Sequence, residues 1–433
     1  MPKSIANGTG ITVRYIYSAC VVIETPDVTV LCDPWFTEGI YDGSWFHFPR
    51  VDDPLKVIGD VDYIYISHIH PDHYDPDFLR EYEKNFGRKK ILVAQRNFPY
   101  LERALTSSGF DVDASGEVIR LGETSLRMIP IRPDDPNEID SALFVEFKDK
   151  SGRRHTVLNV NDIVFDDFVL ADLARQYSQP DILLLGYTGA GAYPQTYFGL
   201  DDPQLPVEAE NKKQAFFARY ARNAEAFRAT VNLPFAGKYI LGGARVGLNE
   251  YRGVADAVEI LDFDARAIVL GDLGGAISTA DLKPTSTRTT VYDRSQFLQR
   301  CQELSEARMA YELIDEKLIP LIPFEQLLRK AHIRAKSKSV VEEDYYFVIH
   351  LPDGRAVEMN ANRQAIEDVR VLPDGDTSRT PRSEILMDPR YLFGLLVGLF
   401  HWNTAEVGSQ YDVRRIPNQF RREAQHFLNF LSV

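Results

Sequence analysis

The sequence predicts an α+β fold in which two β-sheets pack face to face with helices outside them, an αββα sandwich, followed by a smaller C-terminal α+β domain. Apolar runs of strand length recur between residues 11 and 147, and segments with helical apolar spacing, such as residues 77–86, fall between some of them. Short apolar runs bounded by turn residues are typical of strands, and a 3.6-residue period is typical of a helix. Because each sheet must bury its apolar face, a second sheet and outer helices are its expected partners.

The strands and helices can be placed in chain order. Residues 11–32 indicate a β-meander. Further strand-like runs occupy residues 117–121, 126–130 and 141–147. A long amphipathic helix is expected from Asn211 to Thr230, with its charged residues on the solvated face.

The composition turns polar near residue 284, which predicts a domain boundary there. The first domain would span residues 1–285 and the second residues 286–433. The second would begin with a single helix from Arg294 to about Lys317.

The charge balance excludes some partners. The 433 residues include 63 acidic and 49 basic side chains, a net charge of −14 at pH 7, and no basic block interleaves with aromatic residues. Nucleic acid is therefore not an expected partner. The N-terminus lacks the pattern of a signal peptide, and no apolar run is long enough to span a bilayer, so we expect no membrane partner and a cytoplasmic location.

The cysteines give no sign of a cluster or a disulfide framework. Cys20, Cys32 and Cys301 are the three in the sequence, and none belongs to a Cys-x-x-Cys pair. A Rieske centre needs two cysteines and two histidines. We therefore expect no intrinsic iron–sulfur cluster.

Candidate metal ligands are concentrated where an apolar run, residues 63–67, ends. His68, His70, Asp72 and His73 follow it directly. Imidazole and carboxylate groups hold zinc, iron or manganese, and a strand would deliver these side chains into one loop. The spacing is restrictive, so a chance surface turn is the weaker interpretation.

Two more carboxylates follow apolar runs. Asp162 comes after residues 155–161, where it would be a further metal ligand or else the cap of a helix beginning near Phe165. Asp33 comes after residues 28–32, where it would orient a metal ligand from behind or else form a simple Asp-Pro turn.

A small-molecule substrate pocket is harder to place. Residues 39–49 are aromatic and rich in glycine, which indicates either a pocket wall or plain packing. A cation at Lys238 could meet an anionic substrate, and aromatic rings could stack on a substrate ring. Ordinary surface or core positions explain the same residues equally well. The candidates are Trp45, Tyr193, Lys238, His401, Trp402 and Glu406.

The spacing of residues 68–73 resembles the signature of the metallo-β-lactamase fold superfamily. The resemblance implies that His68 and His70 bind one metal ion and that Asp72 and His73 bind a second. It also implies that Asp162 bridges the two ions, with Asp72 and Asp162 as catalytic carboxylates. The first domain would then bind the metals, and the second would contribute to the substrate pocket.

Several short motifs are similar to one branch of that superfamily, the metallo-β-lactamase-like catalytic portion of CMP-N-acetylneuraminate hydroxylase and its bacterial relatives. The motifs follow the family's order over most of the chain: residues 32–35, 159–162, 189–190 with 193–194, 234–237, 401–409 and 415–417. This resemblance implies an oxygenase, here without the Rieske domain that the hydroxylase carries.

The chain departs from the hydrolytic pattern of the superfamily in its later histidines. None lies between His73 and His155, where a third-motif ligand is expected, and none between His155 and His332, where the last ligand is expected. Asp140 is favoured as a replacement for the first, ahead of its acidic neighbours Asp134, Asp135 and Glu138. Carboxylates harden the ligand set, which favours iron or manganese over zinc.

Two functions compete. The favoured one is a non-haem iron enzyme with two metal ions that uses dioxygen to oxidise or hydroxylate a small polar metabolite. Its electrons would come from a separate electron-transfer protein or from the substrate. The alternative is a dinuclear metal hydrolase of an ester, lactone, amide or phosphoester, with zinc or manganese as its metal and Asp72 as general base. A non-enzymatic scaffold is a weaker interpretation because residues 68–73 keep every expected ligand.

Overall fold

The computed structural model describes residues 9–365 and 369–433. Residues 1–8 and 366–368, which belong to the two expected domain ranges, lie outside the described residues. Two sheets, of seven and six strands, pack face to face, and helices cover their outer surfaces. The predicted α+β class and αββα sandwich are confirmed, and a further sheet lies in the C-terminal part.

Most strands are short. In chain order they are β1 (Thr12–Tyr17), β2 (Cys20–Glu24), β3 (Thr29–Cys32), β4 (Trp45–Phe46), β5 (Tyr63–Tyr65), β6 (Lys90–Leu92), β7 (Asp111–Asp113), β8 (Ile119–Leu121), β9 (Thr124–Pro130), β10 (Ser141–Lys148), β11 (Arg154–Asn159), β12 (Ile182–Gly186), β13 (Val231–Phe235), β14 (Ile240–Leu241), β15 (Ala276–Ser278), β16 (Tyr346–His350), β17 (Ala356–Asn360), β18 (Val369–Leu372), β19 (Arg382–Leu386) and β20 (Asp412–Ile416).

Helices connect and cover these strands. They are α1 (Ile40–Gly43), α2 (Pro54–Ile58), α3 (Pro76–Phe86), α4 (Tyr100–Ser107), α5 (Asp167–Gln176), α6 (Leu205–Phe227), α7 (Arg294–Leu304), α8 (Phe324–Lys338), α9 (Pro389–Leu396), α10 (Trp402–Val407) and α11 (Arg422–Leu428). No helix in the described ranges is both long enough and apolar enough to cross a bilayer.

The first sheet has the strand order β15-β1-β2-β3-β5-β6-β7. The predicted meander forms its antiparallel part, whereas β3, β5, β6 and β7 run parallel. Cys32 of β3 pairs with Tyr65 of β5, so both strands end at the same edge of the sheet. Asp33 and His68, which follow these strands, are therefore brought to one place.

The second sheet has the order β13-β12-β11-β10-β9-β8. Strand β10 runs antiparallel to β11, and Leu143 pairs with Asn159. The start of β10 and the end of β11 therefore meet at one edge. This topology brings Asp140, just before β10, and Asp162, just after β11, to the same edge.

Burial explains the layers. The inner faces of the sheets share one apolar core, which includes Val13, Val30 and Tyr65 from the first sheet and Leu143, Val157 and Leu184 from the second. Phe78 and Leu79 of α3 cover the outer face of the first sheet. Tyr220 and Phe227 of α6 cover the outer face of the second.

The C-terminal sheet has the order β18-β17-β16-β19-β20, and α8, α9 and α11 share its core. The expected helix from Arg294 to about Lys317 is wrong. Helix α7 ends at Leu304, and Met309 takes an extended backbone that buries its side chain completely in the C-terminal core. The domain boundary expected near residue 285 stays a prediction.

Candidate metal centre

The loop between β5 and α3 carries the histidine cluster. A tight turn follows β5, with the amides of His73 and Tyr74 donating to the carbonyl of His70 at 3.0 and 2.8 Å. Asp75 then caps α3 by accepting from the Phe78 amide at 3.0 Å, and Pro76 occupies the first turn. The capped helix start fixes the end of the loop that holds the histidines.

Three of the predicted ligands converge closely. Donor atoms of His68, His73 and Asp162 all lie within 4.8 Å of one another. The Nε2 atom of His73 is 3.6 Å from Oδ2 of Asp162. Asp162 follows β11 of the second sheet and the histidines follow β5 of the first, so the candidate centre lies where the edges of the two sheets meet.

The remaining three predicted ligands surround this group. His70 Nδ1 lies 2.8 Å from His68 Nε2. Asp72 Oδ2 lies 3.5 Å from His73 Nε2, and Asp140 Oδ1 lies 3.7 Å from His68 Nδ1. The structure therefore brings all six predicted ligands together, and their binding of metal stays a prediction.

The alternatives to Asp140 have other contacts. Asp134 accepts from the Asn97 side chain, Asp135 from the Asn137 backbone amide at 2.9 Å, and Glu138 from the Asp140 backbone amide at 3.2 Å. Asp140 is the one of these four carboxylates for which the described residues show a contact with a cluster histidine.

The alternative for Asp162 was a helix cap. That position belongs to Asp166, which caps α5 by accepting from the Val169 amide at 2.9 Å. Asp162 is thus left to face the histidines.

Asp33 lies behind His73. It is fully buried, its Oδ2 is 3.1 Å from His73 Nδ1, and its Oδ1 accepts from the Ser67 amide at 2.7 Å. The Ser67 hydroxyl is also close to the Nδ1 atoms of His68 and His73, at 3.0 and 3.3 Å. Because Asp33 engages Nδ1, the Nε2 atom of His73 faces Asp72 and Asp162. A carboxylate behind a histidine in this way is the usual support of a metal-ligating imidazole.

Tyr41 is a contact that the sequence did not predict. Its hydroxyl donates to Asp72 Oδ1 at 2.5 Å. Tyr41 and Asp42 both have positive φ angles, 53° and 60°. This costly backbone is held from the C-terminal part, where Gln410 donates to the Tyr41 carbonyl at 2.7 Å and Tyr391 to the Asp42 carboxylate at 2.6 Å. The one feature of the sequence that pointed to Tyr41 is the aromatic character of residues 39–49.

Burial and mutual contact set the charges of the imidazoles. Burial, with the neighbouring His73, lowers the pKa of His68 to about 4, and burial with His68 does the same for His70. Burial would also lower the pKa of His73, but Asp162 and Asp72 outweigh it and raise this pKa well above its usual value. His68 and His70 are therefore neutral near pH 7, which is the form that binds a metal ion.

The carboxylates show the same crowding. Burial raises the pKa of Asp140 to about 7, and the like charges of Asp162 and Glu138 add to this. Burial would raise the pKa of Asp162, but His73 and His68 outweigh it and lower that pKa.

The donor set fits a metal ion. The Oδ1 atom of Asp162 is buried and has no hydrogen-bond partner in the part of the chain that the structure describes. A buried carboxylate oxygen without a partner is costly, and a cation beside it would remove that cost. Three imidazoles and three carboxylates also match the ligand types of iron, manganese and zinc.

Two of the predicted pocket residues, Trp45 and Lys238, have aromatic or ionic partners. Trp45 is buried, stacks on Tyr239 with ring centroids 3.5 Å apart, and packs on Tyr41 at 4.5 Å. Lys238 is bonded to the carboxylate of Asp272 and the hydroxyl of Tyr292, so its charge is already compensated. Trp45 thus supports Tyr41, whereas Lys238 is not a free cation.

Three other candidates make different contacts. The Tyr193 hydroxyl donates to Glu208 of α6 at 2.6 Å. His401 is exposed at the start of α10, where it accepts from the Asn403 amide at 3.2 Å. Trp402 is 1% exposed in the C-terminal core and donates to the Leu431 carbonyl at 2.8 Å. The described residues show no contact between any of these three side chains and the six candidate metal ligands. Trp402 packs as a core residue.

Glu406 gives a prediction about pH. Burial raises the pKa of Glu406 from 4.5 to about 7, although Arg415 and Tyr197 act to lower it. Since the folded-state pKa is the higher one, the contribution of Glu406 to stability is fully present below pH 4.5 and is lost as the pH rises through 7. Urea unfolding measures the free energy of unfolding at about pH 5 and about pH 8. Between these values it should fall by roughly 2 kcal/mol more in the unmodified protein than in Glu406→Gln.

The matched control for that experiment is Glu423→Gln, an exposed glutamate on α11. It should keep the pH dependence of the unmodified protein. Equal pH dependence in Glu406→Gln and the unmodified protein would contradict the assignment.

Comparison with known proteins shows one matching family and several similar proteins. Residues 12–142 match the family described as "Beta-lactamase superfamily domain". Over 229 residues, 50% of this chain, the sequence is 34% identical to a protein of Mycolicibacterium smegmatis named as a Rieske 2Fe-2S iron-sulfur protein, and 41% of that protein is covered. Over 238 residues, 53% of this chain, it is 24% identical to cytidine monophosphate-N-acetylneuraminic acid hydroxylase of Danio rerio, covering 38% of it. The match spans about two fifths of the length of these relatives.

Solved structures resemble the chain at lower identity. A metallo hydrolase from Ignicoccus hospitalis is 16% identical with a TM-score of 0.41, covering 62% of this chain and 98% of that one. CmlA, a diiron β-hydroxylase from Streptomyces venezuelae, is 17% identical with a TM-score of 0.41, covering 64% of this chain and 55% of that one.

The resemblances that the motifs predicted are confirmed by the family match and by the hydroxylase relative. The two face-to-face sheets with outer helices have the architecture that those resemblances imply. The chain therefore resembles the metallo-β-lactamase fold superfamily, and residues 12–142 carry the family match.

Proposed function

We propose that this protein is a metal-dependent oxidising enzyme that uses two metal ions, with iron favoured, to oxidise or hydroxylate a small polar metabolite. The observation that carries the proposal is the donor set, in which three carboxylates accompany three imidazoles. Oxygen donors favour iron or manganese over zinc. When bound, such ions supply the activation of dioxygen that the side chains cannot provide themselves.

The ligands would be His68, His70, Asp72, His73, Asp140 and Asp162. The task of the surrounding residues is to hold this set in place. Asp33 fixes the orientation of the His73 ring, and the Tyr41 hydroxyl fixes one oxygen of Asp72, which leaves its other oxygen 3.5 Å from His73. Buried aromatic side chains beside Tyr41, including Trp35 and Trp45, exclude water from that flank.

The relatives support the oxidative chemistry. One is named as a hydroxylase and another as a Rieske protein, and a hydroxylase needs electrons as well as dioxygen. The three cysteines of this sequence include no Cys-x-His or Cys-x-x-His element. The proposal therefore includes a separate electron-transfer protein, or a substrate that provides the electrons.

Metal analysis with an oxygen electrode tests the proposal. We expect purified protein to contain iron, and the iron form to consume dioxygen and change its absorption spectrum when a reductant is added. His426→Gln, which changes a histidine on α11 outside the cluster, is the matched control and should keep both properties. Stoichiometric zinc, together with an iron form that is inert to every reductant, would overturn the proposal in favour of a zinc hydrolase.

A further inference from the structure

A cavity of 260 Å³ is lined by described residues that include none of the six candidate metal ligands. Aromatic side chains form much of its wall. The Phe48 ring is in edge contact with the rings of Tyr292 and Phe297, with centroids 5.5 and 5.3 Å apart. Tyr239 also lines the cavity, and its ring lies against Trp45, which packs on Tyr41. Three packed aromatic rings thus lead from the cavity wall to the Tyr41 hydroxyl that contacts Asp72.

Charged side chains also line the cavity, and nearly all of them have partners. Four of these side chains form ion pairs: Lys238 with Asp272, Arg294 with Glu250, Asp256 with Arg288, and Glu259 with Lys213. These pairs compensate one another inside the protein, and none needs a ligand.

Arg252 is different. It is 6% exposed, and its Nε and Nη1 atoms have no hydrogen-bond partner among residues 9–365 and 369–433. No carboxylate in these ranges lies within ion-pair distance of it, and its guanidinium lies 4.3 Å over the Tyr239 ring. A buried guanidinium that lacks a carboxylate is costly, because its desolvation is not offset.

A second cation lies close to Arg252. The amino group of Lys212 donates to the carbonyl of Tyr193 at 2.8 Å, and no carboxylate in the described ranges pairs with it. Burial, with Arg252 adding to it, lowers the pKa of Lys212 to about 7. Arg252 therefore carries a positive charge that no carboxylate in the described ranges compensates, and Lys212 adds to it when protonated.

We propose that this cavity binds the anionic end of a small molecule, a carboxylate or a phosphate group, and that Arg252 is its partner. The planar guanidinium presents parallel N–H groups that match two oxygens of such an anion. The aromatic wall suits an apolar or ring-bearing remainder of the molecule. None of the described residues that line the cavity is a candidate metal ligand, so the proposal does not depend on the proposed oxidation.

Calorimetric titration with inorganic phosphate and, separately, with malonate tests this site at constant ionic strength. The unmodified protein should bind at least one of these probes saturably, and the probe that binds identifies the anion class. Arg252→Gln should weaken that binding about tenfold or more. Arg294→Gln, the matched control in the same cavity, should change it by less than about threefold, because Arg294 is exposed and already paired.

Thermal unfolding provides a second measurement that does not need Arg252→Gln to fold. A bound anion should raise the melting temperature of the unmodified protein, and the rise should be smaller in Arg252→Lys, which lacks the planar guanidinium. Absence of saturable binding by both probes, or equal binding in Arg252→Gln, would overturn the proposal. Phosphate that bound to metal ions rather than to Arg252 would bind equally to Arg252→Gln and to the unmodified protein.

Discussion

Asp162→Ala and His70→Ala are each expected to lose most of the bound metal, with metal affinity falling about tenfold or more. Asp162 is the ligand candidate that joins the second sheet to the histidines of the first, at 3.6 Å from His73. The Nδ1 atom of His70 lies 2.8 Å from the Nε2 atom of His68. Elemental analysis of purified variants measures the metal, and far-UV circular dichroism measures the fold.

The fold should survive both changes, because neither side chain belongs to an apolar core cluster. Asp167→Ala is the matched control, since Asp167 is a nearby acidic residue that is 93% exposed and pairs with Arg222. It should keep its metal. Full metal retention in both Asp162→Ala and His70→Ala would refute the placement of the centre.

The core of the candidate site could be predicted because the candidate ligands follow directly on strands. Residues 68–73 form one loop, and Asp162 ends an apolar run, so local patterns were sufficient to select them. Asp140 is favoured over its acidic neighbours because it directly precedes the apolar run that begins at Ser141, where the resemblance places the third-motif ligand. The two-sheet architecture was predictable for the same reason, since alternating short apolar runs leave few other arrangements.

The residues that hold the candidate ligands in place could not be predicted, because they depend on contacts between distant parts of the chain. Tyr41 reaches Asp72 only with a backbone that Gln410 and Tyr391 hold, and these lie more than three hundred residues later. Arg252 belongs to no motif, and only the three-dimensional structure shows that it has no carboxylate partner among the described residues.

The same limit affected the pocket candidates. Lys238 has the sequence context of a cation available to a substrate, but the fold places Asp272 and Tyr292 beside it. Trp402 has the context of a ring beside a polar loop, but helix α10 turns it into the C-terminal core. A sequence pattern gives the chemistry of a side chain and leaves open which neighbours will compensate or cover it.

Asp33→Asn is expected to weaken metal binding about 10- to 100-fold while the fold is retained. The amide can still accept from the Ser67 backbone, which would preserve the turn after β3. It lacks the negative charge that Asp33 places 3.1 Å from His73 Nδ1, and this charge strengthens the imidazole as a donor on its opposite side. Competition of the protein with a chelator of known affinity measures the change.

Asp75→Asn is the control that separates this effect from the general loss of a buried carboxylate. Asp75 is also buried beside the cluster, but it accepts from Thr37 at 2.7 Å and from Phe78 at 3.0 Å and has no contact with a cluster histidine among the described residues. Its replacement should leave metal affinity within about twofold of the original, since its partners are shared with no ligand. If Asp33→Asn also binds metal with unchanged affinity, Asp33 only shapes the turn before Pro34, and another group must orient His73.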